Sequence, residues 1–379
     1  MKIMLKDHVA VGGVVMMLGF ALASCDKAPP SSPPKDPTVS VTATVETVAM
    51  QDADDAADDP AIWIDAEDPS RSVIIGTNKK RGLEVYGLDG QELSFRADGR
   101  MNNVDVRQNV TIGAMMLDVV VATNRTDQTL AVYAFERAAR ALRPLLSIPS
   151  TFGDPYGICL YHSKTGELYV FANDSDSGTY GQWRLFSPDG TAIQAEKLRT
   201  FSPGSQAEGC SADDQNGTLF VSEEDVGIWA YGAEPKDGDT RVGVDAVAGG
   251  HLTADSEGIS LVDEGNGAGY VIASSQGSNS YNVYDRAPQY AFRGAFVIGD
   301  GATIDGVAET DGLDVTAANL GPAFPGGVFV AQDGFNVEGP GHKTAHQNFK
   351  LVPWEAIRAA LKLPRPPATA AENKADFKG

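Results

Sequence analysis

The stretch Glu257-Gly258-Ile259-Ser260-Leu261 places a polar residue and a glycine directly before an apolar segment. The arrangement recurs, with or without the glycine, at Asp59-Pro60-Ala61-Ile62-Trp63, Asn103-Val104-Asp105-Val106, Tyr156-Gly157-Ile158, Glu208-Gly209-Cys210 and Asp305-Gly306-Val307. With positions 59, 105, 156, 208, 257 and 305 as markers, the successive separations are 46, 51, 52, 49 and 48 residues. Such a regular period of roughly 50 residues indicates a repeat architecture.

Each repeat unit carries further apolar runs after its opening segment. In the fourth unit, residues 218–222 form a second run and residues 227–231 then alternate along the chain. Short period-two segments separated by turn residues are typical of β-strands. Six such units of three or four strands predict an all-β fold, a six-bladed β-propeller, whose ring we expect residues 39–49 to close by completing the final blade. A β-sandwich or two β-domains would explain the strands but not their six-fold phase.

The composition fits a folded, turn-rich and acidic protein. Of 379 residues, 42% are apolar and 21% charged, and 41 Gly with 21 Pro favour frequent turns. Thirty Lys and Arg against 51 Asp and Glu give a formal net charge of −21. This charge argues against nucleic-acid binding, because phosphate backbones are held by clustered cations. We expect metal cations as partners and a monomeric state.

The first 25 residues have the pattern of an export signal. Lys2 and Lys6 precede an apolar run over residues 9–22, and Leu22-Ala23-Ser24-Cys25 resembles the lipobox of bacterial lipoproteins. The run is shorter than the roughly 20 residues of a membrane-spanning helix, so a plain transmembrane anchor is the weaker interpretation. We expect an exported protein that a lipid on Cys25 anchors to a bacterial membrane, on the periplasmic side or at the cell surface.

These patterns divide the chain into four parts. Residues 1–24 form the signal peptide, and residues 25–38 form a tether that is rich in proline. We expect residues 39–363 to form the six-bladed propeller domain. Residues 364–379, which begin Pro364-Arg365-Pro366-Pro367, form a flexible tail.

The opening polar residues occupy the same position in each repeat unit, so in a propeller they would meet at one end of the central channel. A single Asp-Gly or Glu-Gly step is also ordinary turn chemistry. Together, however, so many carboxylates would repel one another unless cations lie between them. Oxygen ligands select hard cations such as Ca²⁺, and we expect several calcium ions here. The candidate metal ligands are Asp58, Asp59, Asp105, Glu208, Glu224, Glu257, Asp305 and Asp311.

Cationic residues recur at a second position that two repeat units share. Thr77-Asn78-Lys79-Lys80-Arg81 follows the second strand of unit one, and Thr123-Asn124-Arg125 follows the second strand of unit two. Solvated loop lysines would explain the first segment alone. Two equivalent placements beside the expected calcium ions instead predict a phosphate site. Its candidate residues are Lys79, Lys80, Arg107 and Arg125.

The ordered set of motifs is specific even though each motif alone is weak. The set comprises Asp58-Asp59-Pro60-Ala61-Ile62-Trp63, Asn78-Lys79-Lys80, Asn102-Asn103-Val104-Asp105-Val106-Arg107, Pro155-Tyr156-Gly157, Gln206-Ala207-Glu208-Gly209, Ser222-Glu223-Glu224-Asp225, Ser256-Glu257-Gly258, Asp305-Gly306, Thr310-Asp311-Gly312-Leu313-Asp314-Val315 and Ala331-Gln332-Asp333-Gly334. In this order it resembles the β-propeller phytases, the calcium-dependent alkaline phytases of bacteria, over about residues 40–360. The resemblance implies a six-bladed propeller that hydrolyses phytate (myo-inositol hexakisphosphate) to lower inositol phosphates and inorganic phosphate, with several Ca²⁺ ions at the channel mouth.

The resemblance also implies a role for each matching residue. Calcium would be held by Asp58, Glu208, Glu257, Asp305 and Asp311, with Asp59 and Glu224 as companions. Lys79, Lys80 and Arg125 would hold phosphate oxygens, and Tyr156 would support a calcium ion or its water. The residues acting in catalysis would then be Asp58, Lys79, Arg125, Tyr156 and Glu208. The loop Asn173-Asp174-Ser175-Asp176-Ser177 departs from the family, whose members commonly carry a lysine there for a second phosphate.

Other chemistries find less support in the sequence. Cysteine phosphatases need an arginine five residues after the cysteine, and neither Cys159 nor Cys210 has an arginine within that spacing. The Arg-His-Gly motif of histidine phosphatases is absent. A calcium-dependent lactonase or esterase would favour a channel with few basic residues. A non-catalytic binding platform would favour an apolar or aromatic channel mouth.

The two cysteines of the propeller lie at nearly equivalent positions in adjacent units. Cys159 lies three residues after the marker of its unit at position 156, and Cys210 lies two residues after the marker at position 208. In an oxidising compartment they would form a disulfide, and two buried free thiols are the alternative.

Overall fold

The computed structural model describes residues 32, 34–265, 267–337 and 343–365. The predicted signal peptide, Cys25 and most of the predicted tail lie outside the described residues. Within them, strands form nearly all of the regular structure, joined by one α-helix and the short 3₁₀ helices Pro69–Arg71 and Gln276–Ser278. In this part of the chain, no helix is long and apolar enough to cross a membrane.

The strands form six sheets, the blades of a propeller. Two strands precede the first blade: β1 (Thr38–Val41) and β2 (Val45–Glu46). Blade one contains β3 (Ala57–Trp63), β4 (Val73–Asn78), β5 (Gly82–Gly87) and β6 (Glu92–Arg96). Blade two contains β7 (Met101–Ile112), β8 (Met115–Asn124), β9 (Thr129–Glu136) and β10 (Ala141–Pro149). Blade three contains β11 (Pro155–His162), β12 (Leu168–Asp174), β13 (Tyr180–Phe186) and β14 (Gln194–Phe201).

The second half of the ring follows the same plan. Blade four contains β15 (Ala207–Asp213), β16 (Thr218–Glu223), β17 (Gly227–Gly232) and β18 (Arg241–Ala246). Blade five contains β19 (Ser256–Gly265), β20 (Ala268–Ser275), β21 (Ser280–Asp285) and β22 (Phe292–Ile298). Blade six contains β23 (Leu313–Thr316), β24 (Val328–Asp333) and β25 (Asn348–Pro353), which leads into α1 (Trp354–Leu361). The first strands of the six blades contact one another in a closed ring, so the predicted six-bladed, all-β propeller is confirmed.

The N-terminal segment closes the ring with two strands rather than one. β2 pairs antiparallel with β25 and becomes the fourth strand of blade six. β1 instead runs parallel to β22 and adds a fifth strand to blade five. The predicted closure by the N-terminal segment is therefore confirmed, but only its second half completes the final blade.

The hydrophobic core lies between neighbouring blades. Ile75 and Val85 of blade one, for example, pack against Val104 and Val120 of blade two, and all four are buried. Burying such a side chain contributes about 1.5–3 kcal/mol, so the contacts between blades hold the ring together. A disulfide between Cys159 and Cys210, whose Cα atoms are 5.7 Å apart, also links blades three and four.

Candidate active site at the channel mouth

A β-bulge interrupts the innermost strand of five blades at the same point. In blade four, residues 208–209 lie opposite the single residue Ser222. The same irregularity occurs at residues 58–59, 102–103, 156–157 and 257–258. Because a bulge re-aims the side chains that it carries, the polar residues at the start of these strands gather at one mouth of the channel.

The glycines after the polar residues allow the innermost strands to approach one another. A Cβ atom on Gly209 would lie 2.3 Å from the carbonyl oxygen of Glu257, and one on Gly258 would lie 2.5 Å from that of Asp311. Neither glycine has a positive φ, so turn chemistry does not explain them. The polar–glycine repeat therefore reflects close backbone contact around the ring.

Lys79, on the loop after β4, lies in a cluster of carboxylates at this mouth. Its Nζ atom is 2.8 Å from a carboxylate oxygen of each of Asp55, Asp58 and Asp311. Burial alone would lower the pKa of Lys79, but these carboxylates raise it well above its usual range. Lys79 is therefore a fixed cation. Asp311 also accepts a hydrogen bond from Gln276 Nε2 at 2.7 Å.

Glu208, Glu224 and Glu257 form a second cluster, the glutamate triad. One carboxylate oxygen of each lies within 4.8 Å of the others, and all three side chains are buried. Burial, and then the nearby Glu208, raises the pKa of Glu224 to about 8 and that of Glu257 well above its usual range. Glu224 Oε1 and Glu257 Oε2 have no hydrogen-bond partner among the described residues. Such a triad either binds protons or binds a cation.

Arg125, on the loop after β8, adds a second cation to the mouth. Its NH1 group donates to Asn102 Oδ1 at 2.9 Å, and Asn102 Nδ2 donates to Glu208 Oε1 at 2.7 Å. The guanidinium lies over the ring of Tyr156, 5.5 Å from its centroid. Burial and the nearby Glu208 raise the pKa of Tyr156 far above its usual range, so Tyr156 is a neutral phenol. The mouth thus combines two cations with buried carboxylates.

A comparison with known proteins connects this mouth to a family. A family model described as Phytase matches residues 9–366. The chain belongs to the phytase family. A 3-phytase of Bacillus subtilis (strain 168) is 42% identical over 328 residues, which is 85% of this chain and 85% of that protein. A solved calcium-binding protein, regucalcin from Agrobacterium tumefaciens, is 12% identical with a TM-score of 0.50 and covers 83% of this chain and 97% of its own, a likeness of fold alone.

In this phytase-family chain, most of the predicted site residues lie at the mouth just described. They are Asp58, Lys79, Arg125, Tyr156, Glu208, Glu224, Glu257 and Asp311. Asp59, beside Asp58, faces along the channel, and its Oδ2 atom accepts from the Val104 N–H at 3.0 Å. Lys80 follows Lys79 with an exposed side chain.

Asp105 and Arg107 lie deeper in the channel than predicted. They are paired with each other at 3.0 Å, and Arg107 Nε lies 3.0 Å from Asp214. Both line a cavity of about 450 Å³ formed by later residues of the innermost strands. They lie past the bulge at residues 102–103, so the sequence marker for blade two was placed too late. The structure corrects the expectation that they join the mouth.

Asp305 also lies apart from the mouth, in the connection between β22 and β23. Its Oδ1 atom is 2.5 Å from Nζ of the buried Lys350, and its Oδ2 atom accepts from the Val337 N–H at 2.8 Å. The true marker of blade six is Asp311, because the next residue, Gly312, donates its N–H to Asp58 O at 3.1 Å. The structure therefore corrects the placement of Asp305.

Sequence reasoning missed three residues that contact the site. Asn102 lies at a bulge, and the repeat would have identified it if the marker of blade two had been placed at the bulge and not at Asp105. Asp55 and Asp154 precede innermost strands in connecting segments that carry no repeated pattern. Their contacts with Lys79 and Arg125 depend on how the loops fold.

Proposed function

We propose that this protein is a calcium-dependent phosphomonoesterase that removes phosphate from phytate, giving lower inositol phosphates and inorganic phosphate. The observation that carries the proposal is the channel mouth, where Lys79 and Arg125 lie beside the glutamate triad. Lysine and arginine are the side chains that bind phosphate oxygens. Membership of the phytase family and the 42% identity to a 3-phytase support phytate as the substrate.

The residues at the mouth fit calcium. Unpaired buried oxygens on Glu224 and Glu257 supply the hard ligands that Ca²⁺ prefers. The residues that would hold calcium are Asp58, Glu208, Glu224, Glu257 and Asp311. Calcium bound there would neutralise negative charge and activate a water molecule for attack on phosphorus.

The charges at the mouth explain why phytate binding should require calcium. Three carboxylates surround Lys79, and the whole chain carries a formal net charge of −21. This negative charge repels a highly anionic substrate. With the repulsion removed, Lys79 and Arg125 would hold phosphate oxygens and stabilise the charge that develops in the transition state.

Phosphate release from phytate by the calcium-depleted protein, with and without added Ca²⁺, tests the proposal. We expect release only with calcium, and faster release from phytate than from p-nitrophenyl phosphate. Activity that survives thorough chelation would contradict the metal requirement. No release from phytate at any calcium concentration would contradict the function itself.

We further propose that the protein is exported and anchored through a lipid on Cys25. The support is the lipobox-like Leu22-Ala23-Ser24-Cys25 after an apolar run. The described chain that follows begins near the mouth, where the Ser32 N–H donates to Gly277 O at 2.6 Å.

A further inference from the structure

Arg125 is held by a carboxylate that no sequence motif indicated. Its Nε donates to Asp154 Oδ1 at 2.8 Å, and its NH2 group pairs with the second oxygen of the same carboxylate. This is the bidentate geometry that fixes a guanidinium in one plane. NH1 donates to Asn102 Oδ1 at 2.9 Å, so all three guanidinium nitrogens of Arg125 have a partner.

Asp154 is itself held by residues at and just after the end of β12. Its N–H donates to Asp174 Oδ1 at 3.1 Å, and its carbonyl oxygen accepts from the Ser175 N–H at 3.0 Å. Asp174 Oδ2 in turn accepts from Ser177 Oγ at 2.9 Å. The loop after β12 therefore fixes the position of Asp154 through both backbone and side-chain contacts.

We propose that Asp154 is a positioning residue for Arg125 in phytate turnover. The proposal rests on the function proposed above. A guanidinium has about five N–H donors, and Asp154 and Asn102 occupy three of them. The remaining donors belong to a guanidinium whose carbon lies 5.5 Å from the centroid of the Tyr156 ring. Asp154 thus orients the cation that meets the substrate.

A role limited to stability does not account for this pair. The side chains of Arg125 and Asp154 are 20% and 31% exposed, and partly exposed ion pairs contribute little to folding. Orientation matters more, because small displacements of a positioning group slow catalysis strongly. Loss of Asp154 should therefore change turnover while leaving the fold intact.

A double-mutant cycle on kcat for phytate, at saturating calcium, tests the proposal. We expect Asp154→Asn to lower kcat about tenfold without raising KM, because Arg125 keeps its charge. The double variant Asp154→Asn/Arg125→Ala should have the kcat of Arg125→Ala alone, since Asp154 acts only through Arg125. Asp154→Glu should recover most of the lost activity, because glutamate can also pair in bidentate fashion.

A matched control is Asp285→Asn. Asp285 forms the same bidentate pair with Arg293, and its side chain is 26% exposed on blade five. We expect the kcat and the melting temperature of Asp285→Asn to match those of the wild type. The melting temperature of Asp154→Asn should also match that of the wild type. Wild-type kcat in Asp154→Asn, or losses that multiply in the double variant, would overturn the positioning role. An inactive wild type would instead overturn the proposed function.

Discussion

At the scale of single residues, Lys79 is the cation most deeply placed at the channel mouth. Its Nζ atom contacts Asp55, Asp58 and Asp311 at equal distances of 2.8 Å. These contacts hold the ammonium in place before any substrate arrives, and such preorganised groups contribute most to transition-state stabilisation. Loss of the Lys79 side chain should therefore cost much of the catalysis.

We predict that Lys79→Ala weakens transition-state binding by about 2–4 kcal/mol, measured as the fall in kcat/KM for phytate. The loss of kcat/KM in Arg125→Ala should lie in the same range, because Arg125 is also a cation held in place at the mouth. Lys164→Ala, an exposed lysine in the turn after β11, is the control and should leave kcat/KM unchanged. Wild-type kcat/KM in Lys79→Ala would remove this residue from the site.

Much of the site was predictable at this scale, and the exceptions have a physical cause. The carboxylates of the glutamate triad lie at or near repeated bulges, so spacing alone indicated that Glu208 and Glu257 would converge. Asp154 and Asp55 reach the site from loops, where the sequence carries no period. Contacts of that kind depend on tertiary folding and leave no local pattern.

At the scale of elements, the innermost strands depend on glycine at the bulges. A Cβ atom on Gly209 would meet the backbone of Glu257, which cannot move as a side chain can. We predict that Gly209→Ala lowers the free energy of unfolding by about 1–3 kcal/mol, the usual cost of overpacking. Denaturant unfolding measures this change.

Gly243→Ala is the matched control for this prediction. Gly243 lies on the outermost strand of blade four, and an added Cβ would make only an ordinary contact with Trp229 at 3.6 Å. Its free energy of unfolding should stay within about 0.5 kcal/mol of the wild type. Equal stabilities of the two variants would contradict the role assigned to close strand approach.

Lys350 stabilises the elements that close the ring. Its buried Nζ atom lies 2.6 Å from Glu46 on β2, 2.5 Å from Asp305 and 3.3 Å from Asp333 on β24. We predict that Lys350→Met lowers the free energy of unfolding by about 3–5 kcal/mol, because it leaves buried carboxylates without a cation. Lys236→Met, at an exposed position, should unfold like the wild type. A Lys350→Met variant as stable as that control would show that this pairing does not hold the ring.

The elements also show where sequence periodicity stops being informative. The bulges keep a regular phase through blade five, but the connection between β22 and β23 contains Asp305-Gly306, which imitates the marker. Asp311 is the residue that contacts the neighbouring blade. The parallel pairing of β1 with β22 was equally hidden, because apolar alternation does not specify which edge a strand joins.

At the scale of the whole molecule, the period of roughly 50 residues was sufficient to predict six blades, since each blade buries its faces only against its neighbours.

The proposed lipid anchor on Cys25 determines where the whole molecule is found in the cell. We predict that Cys25→Ser moves the protein from the membrane fraction to the soluble fraction of the producing bacterium, because the lipid is its only proposed anchor. An unchanged membrane fraction would contradict lipidation at Cys25.

Carboxylates from separate blades converge at one mouth of the whole molecule, and we propose that calcium bound there allows this acidic protein to accept phytate. Calorimetric titration of the metal-free protein with Ca²⁺, compared between the wild type and Glu224→Gln/Glu257→Gln, measures this binding. We expect the variant to bind fewer calcium ions and to release no phosphate from phytate. Unchanged calcium binding together with full activity in the variant would show that the glutamate triad holds no calcium that turnover needs.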